Sequence, residues 1–78
     1  MALALTIARV DETLFQGDVI SATFPGVSGD FTVLQGHEPF VTTLKKGDVI
    51  VRKEEGEEVF AITNGLVEVT GERAVVLI

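Results

Sequence analysis

The stretch Val49-Ile50-Val51-Arg52-Lys53-Glu54-Glu55-Gly56-Glu57-Glu58-Val59-Phe60-Ala61-Ile62-Thr63 decides how this chain is read. Two apolar runs of strand length flank a tip made of charged residues and one glycine, which is the pattern of a β-hairpin with a solvated end. The tip glutamates, Glu54, Glu55, Glu57 and Glu58, lack the alternating oxygen ligands and the ligand number that calcium needs, so they read as a charge that resists aggregation. On the far side, Asn64-Gly65 reads as a tight turn, since both residues tolerate positive φ, and leads into Leu66–Thr70. A further turn at Gly71-Glu72 leads to Arg73–Ile78.

The same punctuation holds upstream. Glycines at 17, 26, 29, 36, 47, 56, 65 and 71 cut the chain into pieces the length of a strand plus a turn. Leu3, Leu5 and Ile7 alternate with Ala4, Thr6 and Ala8. Ile20, Ala22 and Phe24 alternate with Val19, Ser21 and Thr23, and Phe31–Leu34 is a further short strand. No window of eleven or more residues keeps a helical apolar stripe free of glycine or proline; His37–Lys46 is the one place where a helical turn fits, and Pro39 limits it. The chain is therefore expected to be all-β, a sandwich or barrel, in a single domain over residues 1–78. The equal steps from Gly47 to Gly56 to Gly65 enclose segments with no shared pattern and do not mark a repeat.

Composition narrows the function. Twelve acidic residues against six basic ones give a formal charge of −6, which disfavours nucleic acid and anionic membrane surfaces as partners. With no cysteine, neither disulfides nor thiolate metal sites hold the fold, a pattern that suits a reducing cytoplasm. No apolar run approaches the roughly 20 residues of a membrane span, and Met1–Val10 lacks the basic flank and long apolar centre of an export signal. No direct membrane insertion is expected.

Catalytic residues, metal ligands and cofactor motifs are not found. The only serines are Ser21 and Ser28, and Pro25-Gly26-Val27-Ser28-Gly29 fails the spacing of a nucleophile elbow. Gly26 and Gly29 are followed by no lysine and no helix N-terminus, so they do not cradle a phosphate. His37, the single histidine, cannot build a transition-metal site alone; it is either a loop histidine bonded to backbone or a contact at an interface.

The order of the motifs carries more. Phe15-Gln16-Gly17-Asp18-Val19, Phe24-Pro25-Gly26, Gly29-Asp30-Phe31-Thr32-Val33-Leu34-Gln35-Gly36-His37-Glu38-Pro39, Leu44-Lys45-Lys46-Gly47, Gly65-Leu66-Val67-Glu68-Val69 and Val75-Val76-Leu77 resemble, in order, the N-terminal β domain of the epsilon subunit of rotary F-type ATP synthases, called delta in mitochondria. The resemblance covers nearly the whole chain. It departs from the family pattern at Asp30 for glutamate, Thr32 for glycine, Gln35 for proline, Glu38 for a small residue and Asn64 for glycine. Most family members continue into a C-terminal helical hairpin, whereas this sequence stops at Ile78, so the inhibitory role tied to those helices is not carried over.

The resemblance implies a ten-stranded sandwich of two five-stranded sheets. It also implies a non-catalytic place in the central stalk of a proton- or sodium-driven synthase, linking the gamma subunit to the membrane c-ring. The family's ring-facing loop corresponds to Ser28, Gly29 and Asp30, where a carboxylate can pair with a basic or amide side chain. The gamma-facing surface corresponds to Arg9, His37 and Thr42. Such a chain is expected as a peripheral subunit at the cytoplasmic face of a bacterial inner membrane. An interface that bears torque needs well over about 1,000 Å² in all, with an apolar centre; Phe40, Val41 and Leu44 either supply that centre or belong to the core. In isolation, such a patch favours self-association. The competing reading is a free-standing β domain that binds a peptide or other ligand, which an exposed aromatic cluster would favour.

Overall fold

The computed structural model describes residues 2–78. Met1, which opens the segment read above for an export signal, lies outside the described residues. Among the described residues there is no helix, and the strands are β1 (Leu3–Arg9), β2 (Glu12–Val19), β3 (Ser21–Gly26), β4 (Gly29–Val33), β5 (His37–Leu44), β6 (Gly47–Lys53), β7 (Gly56–Ile62), β8 (Gly65–Gly71) and β9 (Arg73–Leu77). Hydrogen bonding follows one path, β2-β1-β9-β8-β5-β3-β6-β7, with β4 on the other edge of β3.

The path doubles back at β3. Ser21–Thr23 pair with β6, while Gly26 at the other end of the strand pairs with Leu44 of β5. A layer of five strands, β2-β1-β9-β8-β5, is thus laid over a layer of four, β4-β3-β6-β7. The described strands number nine, where the resemblance implies ten, and the two layers are stitched together at Gly26 and Leu44 instead of forming separate sheets.

The apolar alternation of β1 turns Leu3, Leu5 and Ile7 inward, where they meet Val67, Val69, Ala74 and Val76 of the same layer and Ala22, Phe24, Val33, Val49 and Val51 of the other. Among the described residues no polar side chain is buried. Burial of each Val, Leu or Ile contributes about 1.5–3 kcal/mol, so this apolar core holds a fold that has no cysteines to form disulfides.

The long edges of the two layers are not hydrogen-bonded to each other, and aromatic pairs close the resulting seams. At the seam between β2 and β7, Phe15 meets Phe60 edge to face at 5.9 Å. Lys53 caps that pair, with Nζ 5.7 Å from the Phe15 ring centre and 2.8 Å from Glu58 Oε1. At the seam between β4 and β5, Phe31 meets Phe40 edge to face at 5.3 Å, and Phe31 lies 5.4 Å from the buried Phe24. Such pairs contribute about 0.5–1.5 kcal/mol beyond the area they bury.

Three local readings are corrected. His37–Lys46 holds no helical turn: His37–Leu44 is a strand paired with β8, with a register irregularity between His37 and Phe40. Pro39 is accommodated in that irregular stretch, beside the strand's free edge, where a missing N–H breaks no ladder. Asn64-Gly65 is not a hairpin turn, because β7 pairs with β6 and β8 with β5 and β9, so this link crosses between layers. Gly65 has no positive φ; a Cβ there would lie 2.9 Å from the Leu77 carbonyl oxygen and 3.0 Å from Ile78 Cγ2, so room is what demands glycine. The third concerns Val19 and Ile20. Val19 is buried opposite Leu3 at the end of β2, while Ile20 is 44% exposed at the corner before β3, its N–H bonded to the Arg52 carbonyl. The apolar phase read through this corner thus holds only from Ala22 onward. The hairpin tip at Glu54-Glu55 and the turn at Gly71-Glu72 fall where the sequence puts them.

Candidate protein-binding surfaces

Ser28, Gly29 and Asp30 are all exposed and lie at one end of the sandwich, on the hairpin between β3 and β4. The base of that hairpin is rigid. Gly26 is flanked by Gly29 on one edge and by Leu44 on the other, and a Cβ there would lie 2.7 Å from the Gly29 carbonyl oxygen and 2.8 Å from the Phe31 ring. Two further backbone bonds tie the hairpin to β5 and the turn after it: Val27 N–H to the Thr43 carbonyl at 3.2 Å and Lys45 N–H to the Pro25 carbonyl at 2.9 Å. Asp30, opposite Pro25, has no salt-bridge partner among the described residues, so its carboxylate is free for an external cation or amide.

Arg9, His37 and Thr42 do not gather into one patch. Arg9 is exposed at the end of β1 and, with Ala61, Ile62, Thr63, Asn64 and Ile78, lines a shallow crevice on the β7 side. His37 opens β5 at the opposite end of the strand from Leu44; its ring sits 4.9 Å from Phe40, and Nδ1 is 2.9 Å from the Glu38 carbonyl oxygen, to which it donates when protonated there. The bond to backbone in the first of the two readings of this histidine is present, but His37 makes it from the start of a strand and not from a loop. Thr42 is half-buried opposite the buried Val67 and faces the seam beside Phe40 instead of the outer face. Thus His37 and Thr42 share the seam between β4 and β5, and Arg9 lies across the sandwich from them.

Of the three residues considered as an apolar interface centre, Leu44 is core at 3% exposure, Phe40 is half-buried in the seam, and Val41 is 60% exposed. Val41 has company that sequence reading missed. Strand pairing sets Leu77 beside Leu66 and Leu66 beside Thr43 in one row, and Val75 beside Glu68 and Glu68 beside Val41 in the next. Ala8 and Thr6 of β1 extend these rows, through Leu77 and Val75 respectively. The outer face of the five-stranded layer therefore carries a largely apolar patch from four strands, with Leu66, Leu77 and Val41 all exposed. Exposed patches of this kind mark protein interfaces. The five phenylalanines, by contrast, are taken up by the core and the seams, so the aromatic groove of a peptide-binding domain is not formed. Among the described residues no three His, Asp or Glu converge as metal ligands.

Comparison with known proteins agrees with this architecture. Residues 2–78 match the family described as ATP synthase, Delta/Epsilon chain, beta-sandwich domain. The chain is 36% identical over 77 residues to the ATP synthase epsilon chain of Chlorobaculum tepidum, covering 97% of this chain and 88% of that one. It is 37% identical over 68 residues to that of Clostridium kluyveri, covering 86% of this chain and 52% of the relative. A chain in the cryo-EM structure of the Euglena gracilis mitochondrial ATP synthase, OSCP/F1/c-ring in rotational state 1, shares the fold with a TM-score of 0.90 at 29% identity, over 97% of this chain and 49% of that one. The protein thus spans most of one relative and about half of the other two, and it belongs to the ATP synthase delta/epsilon family, whose β-sandwich domain its residues 2–78 form.

Proposed function

We propose that this protein is a non-catalytic element of the central stalk of an F-type ATP synthase, joining the gamma subunit to the c-ring so that the shaft and the ring turn together. Family membership supports the role, and the observation that carries it is the pairing of two unlike surfaces on a rigid body. A polar hairpin, Ser28–Asp30, occupies one end of the sandwich, and a largely apolar patch of Val41, Leu66, Val75 and Leu77 around Glu68 lies on an adjoining outer face. An apolar patch suits a lasting interface with a soluble subunit, and a free carboxylate suits the polar loops of a ring. Gamma takes the apolar face in this reading, with His37 and Thr42 at its border on β5 and Arg9 at its end. The ring takes Ser28, Gly29 and Asp30. The matched Euglena assembly contains a c-ring. A bacterial chain with this role would be peripheral, at the cytoplasmic face of the inner membrane.

Torque transmission requires stiffness, and the hydrogen bonds that tie Val27 and Lys45 to the neighbouring strands supply it where the hairpin meets the layers. The test is capture of purified gamma subunit and c-ring by the immobilised chain. Leu66→Glu is expected to weaken capture of gamma at least tenfold, and Asp30→Lys to weaken capture of the ring. Both should melt within about 4 °C of the wild type, as exposed substitutions do. Failure of the folded wild-type chain to capture either partner would refute the stalk role.

A further inference from the structure

The end of the sandwich that carries Asp30 carries a second loop. Lys45 and Lys46 form the link between β5 and β6, and both are exposed. The Lys45 N–H donates to the Pro25 carbonyl, and Pro25 is the residue opposite Asp30 across β3 and β4. Asp30 and Lys45 therefore flank Pro25 from its two edges, two strand spacings or about 10 Å apart. The link stays close to the hairpin: a Cβ on Gly47 would lie 2.8 Å from Pro25 Cβ, so the backbone that carries the lysines runs against the hairpin's base. In a protein with twelve acidic residues and six basic ones, two adjacent lysines held beside an unpaired aspartate are a local reversal of sign. Neither lysine has an ion-pair partner among the described residues.

We propose that Lys45-Lys46 is a second ring-facing contact, which pairs with carboxylates on the polar loops of the c-ring while Asp30 pairs with a cationic or amide group on the same loops. This rests on the stalk reading above. A surface that offers both signs at fixed separation adds specificity to affinity, because a loop docked the wrong way round meets like charges. The protein's net charge of −6 argues against a lipid occupant, since the rest of the surface is repelled by an anionic bilayer.

The test measures binding of the full chain to detergent-solubilised c-ring, to purified gamma subunit and to vesicles of anionic phospholipid. The variants are Lys45→Glu/Lys46→Glu, Asp30→Lys, and the three changes together. The double lysine reversal is expected to weaken ring binding about tenfold at low salt and much less at high salt, as screening predicts. Capture of gamma and the melting temperature should stay unchanged. Ring binding unaffected by the lysine reversal, with Asp30→Lys still weakening it, would overturn the proposal and leave the stalk role standing. Wild-type binding to the vesicles that the reversal abolishes would also overturn it, in favour of a lipid contact. Loss of both gamma and ring capture by the wild type would remove the reading on which the proposal rests.

Discussion

Gln35→Pro should make the protein more stable. Leu34-Gln35-Gly36-His37 is a β-turn closed by the His37 N–H to the Leu34 carbonyl at 3.2 Å, and Gly36, its third residue, has φ +84°. That is the signature of a type II turn, in which the second position takes φ near −60° and is the favoured site for proline. Gln35 holds that second position. The turn's other backbone donor is Gly36, bonded to the Gly71 carbonyl at 3.1 Å, and the Gln35 N–H takes no part in the turn's hydrogen bonds. Leu34 follows directly on β4 and is already outside any helical run, as a residue before proline needs.

The gain then comes from the unfolded chain, which has fewer conformations to lose. Compatible X→Pro changes contribute about 0.4–1 kcal/mol, and for a domain of this size each kcal/mol moves the melting temperature by about 4–8 °C. The expected rise is about 2–8 °C by far-UV circular dichroism, with a higher urea midpoint and an unchanged m-value. Gly36→Ala is the matching control. A Cβ there meets nothing within 4 Å, so its cost is conformational alone, about 1–2 kcal/mol for forcing an L-residue into that region. A lower melting temperature for Gln35→Pro, or a neutral Gly36→Ala, would refute the turn assignment.

Other outcomes follow from the same structure. Gly65→Ala should destabilise the protein by about 1–3 kcal/mol, since its methyl has to displace the Leu77 carbonyl; a neutral result in urea denaturation would mean that the approach of β8 to β9 is looser than described. The pKa of Lys53 is raised above 10.5, chiefly by its hydrogen bond to Glu58, with the charges of Glu58 and Glu55 adding to it against some burial. A raised lysine favours the folded state at pH below the unfolded value and loses that contribution as pH climbs through the folded one. The melting-temperature advantage of the wild type over Lys53→Met should therefore be constant from pH 7 to about 10 and shrink above pH 10.5. An advantage that does not change with pH would assign the whole effect to the lysine's packing on Phe15.

The parts of this fold that local chemistry specifies were legible in the sequence. Leu3, Leu5 and Ile7 announce β1 because one of its faces is wholly buried, and the charged tip at Glu54-Glu55 sits where it was read. Strand β2 escaped because its inward residues include Gly17 and the half-buried Leu14 and Phe15, and a register shift opposite Ile7 and Ala8 breaks the alternation. Asn64-Gly65 has the chemistry of a hairpin turn but joins strands that pair elsewhere, a choice made by distant residues such as Leu44 and Leu77. The hairpin at Ser28–Asp30 was found through motif order. The apolar outer face was not, since Val41, Leu66, Val75 and Leu77 are scattered along the chain and meet only through strand pairing.

Strands β1 and β9 lie side by side and parallel, Ala4 beside Arg73 through Ala8 beside Leu77. Strand β1 therefore waits for β9, made much later in the chain, before one of its edges is covered, and β8 waits with it. No fragment that stops short of residue 73 can complete the five-stranded layer, so the layer closes only after Arg73–Leu77 have cleared the exit tunnel. Pairings of such sequence separation are slow to form, and until then the inward face of Leu3, Leu5 and Ile7 is open to wrong partners. A cell that makes this protein has a reason to shield the nascent β1 until β9 has emerged to cover it.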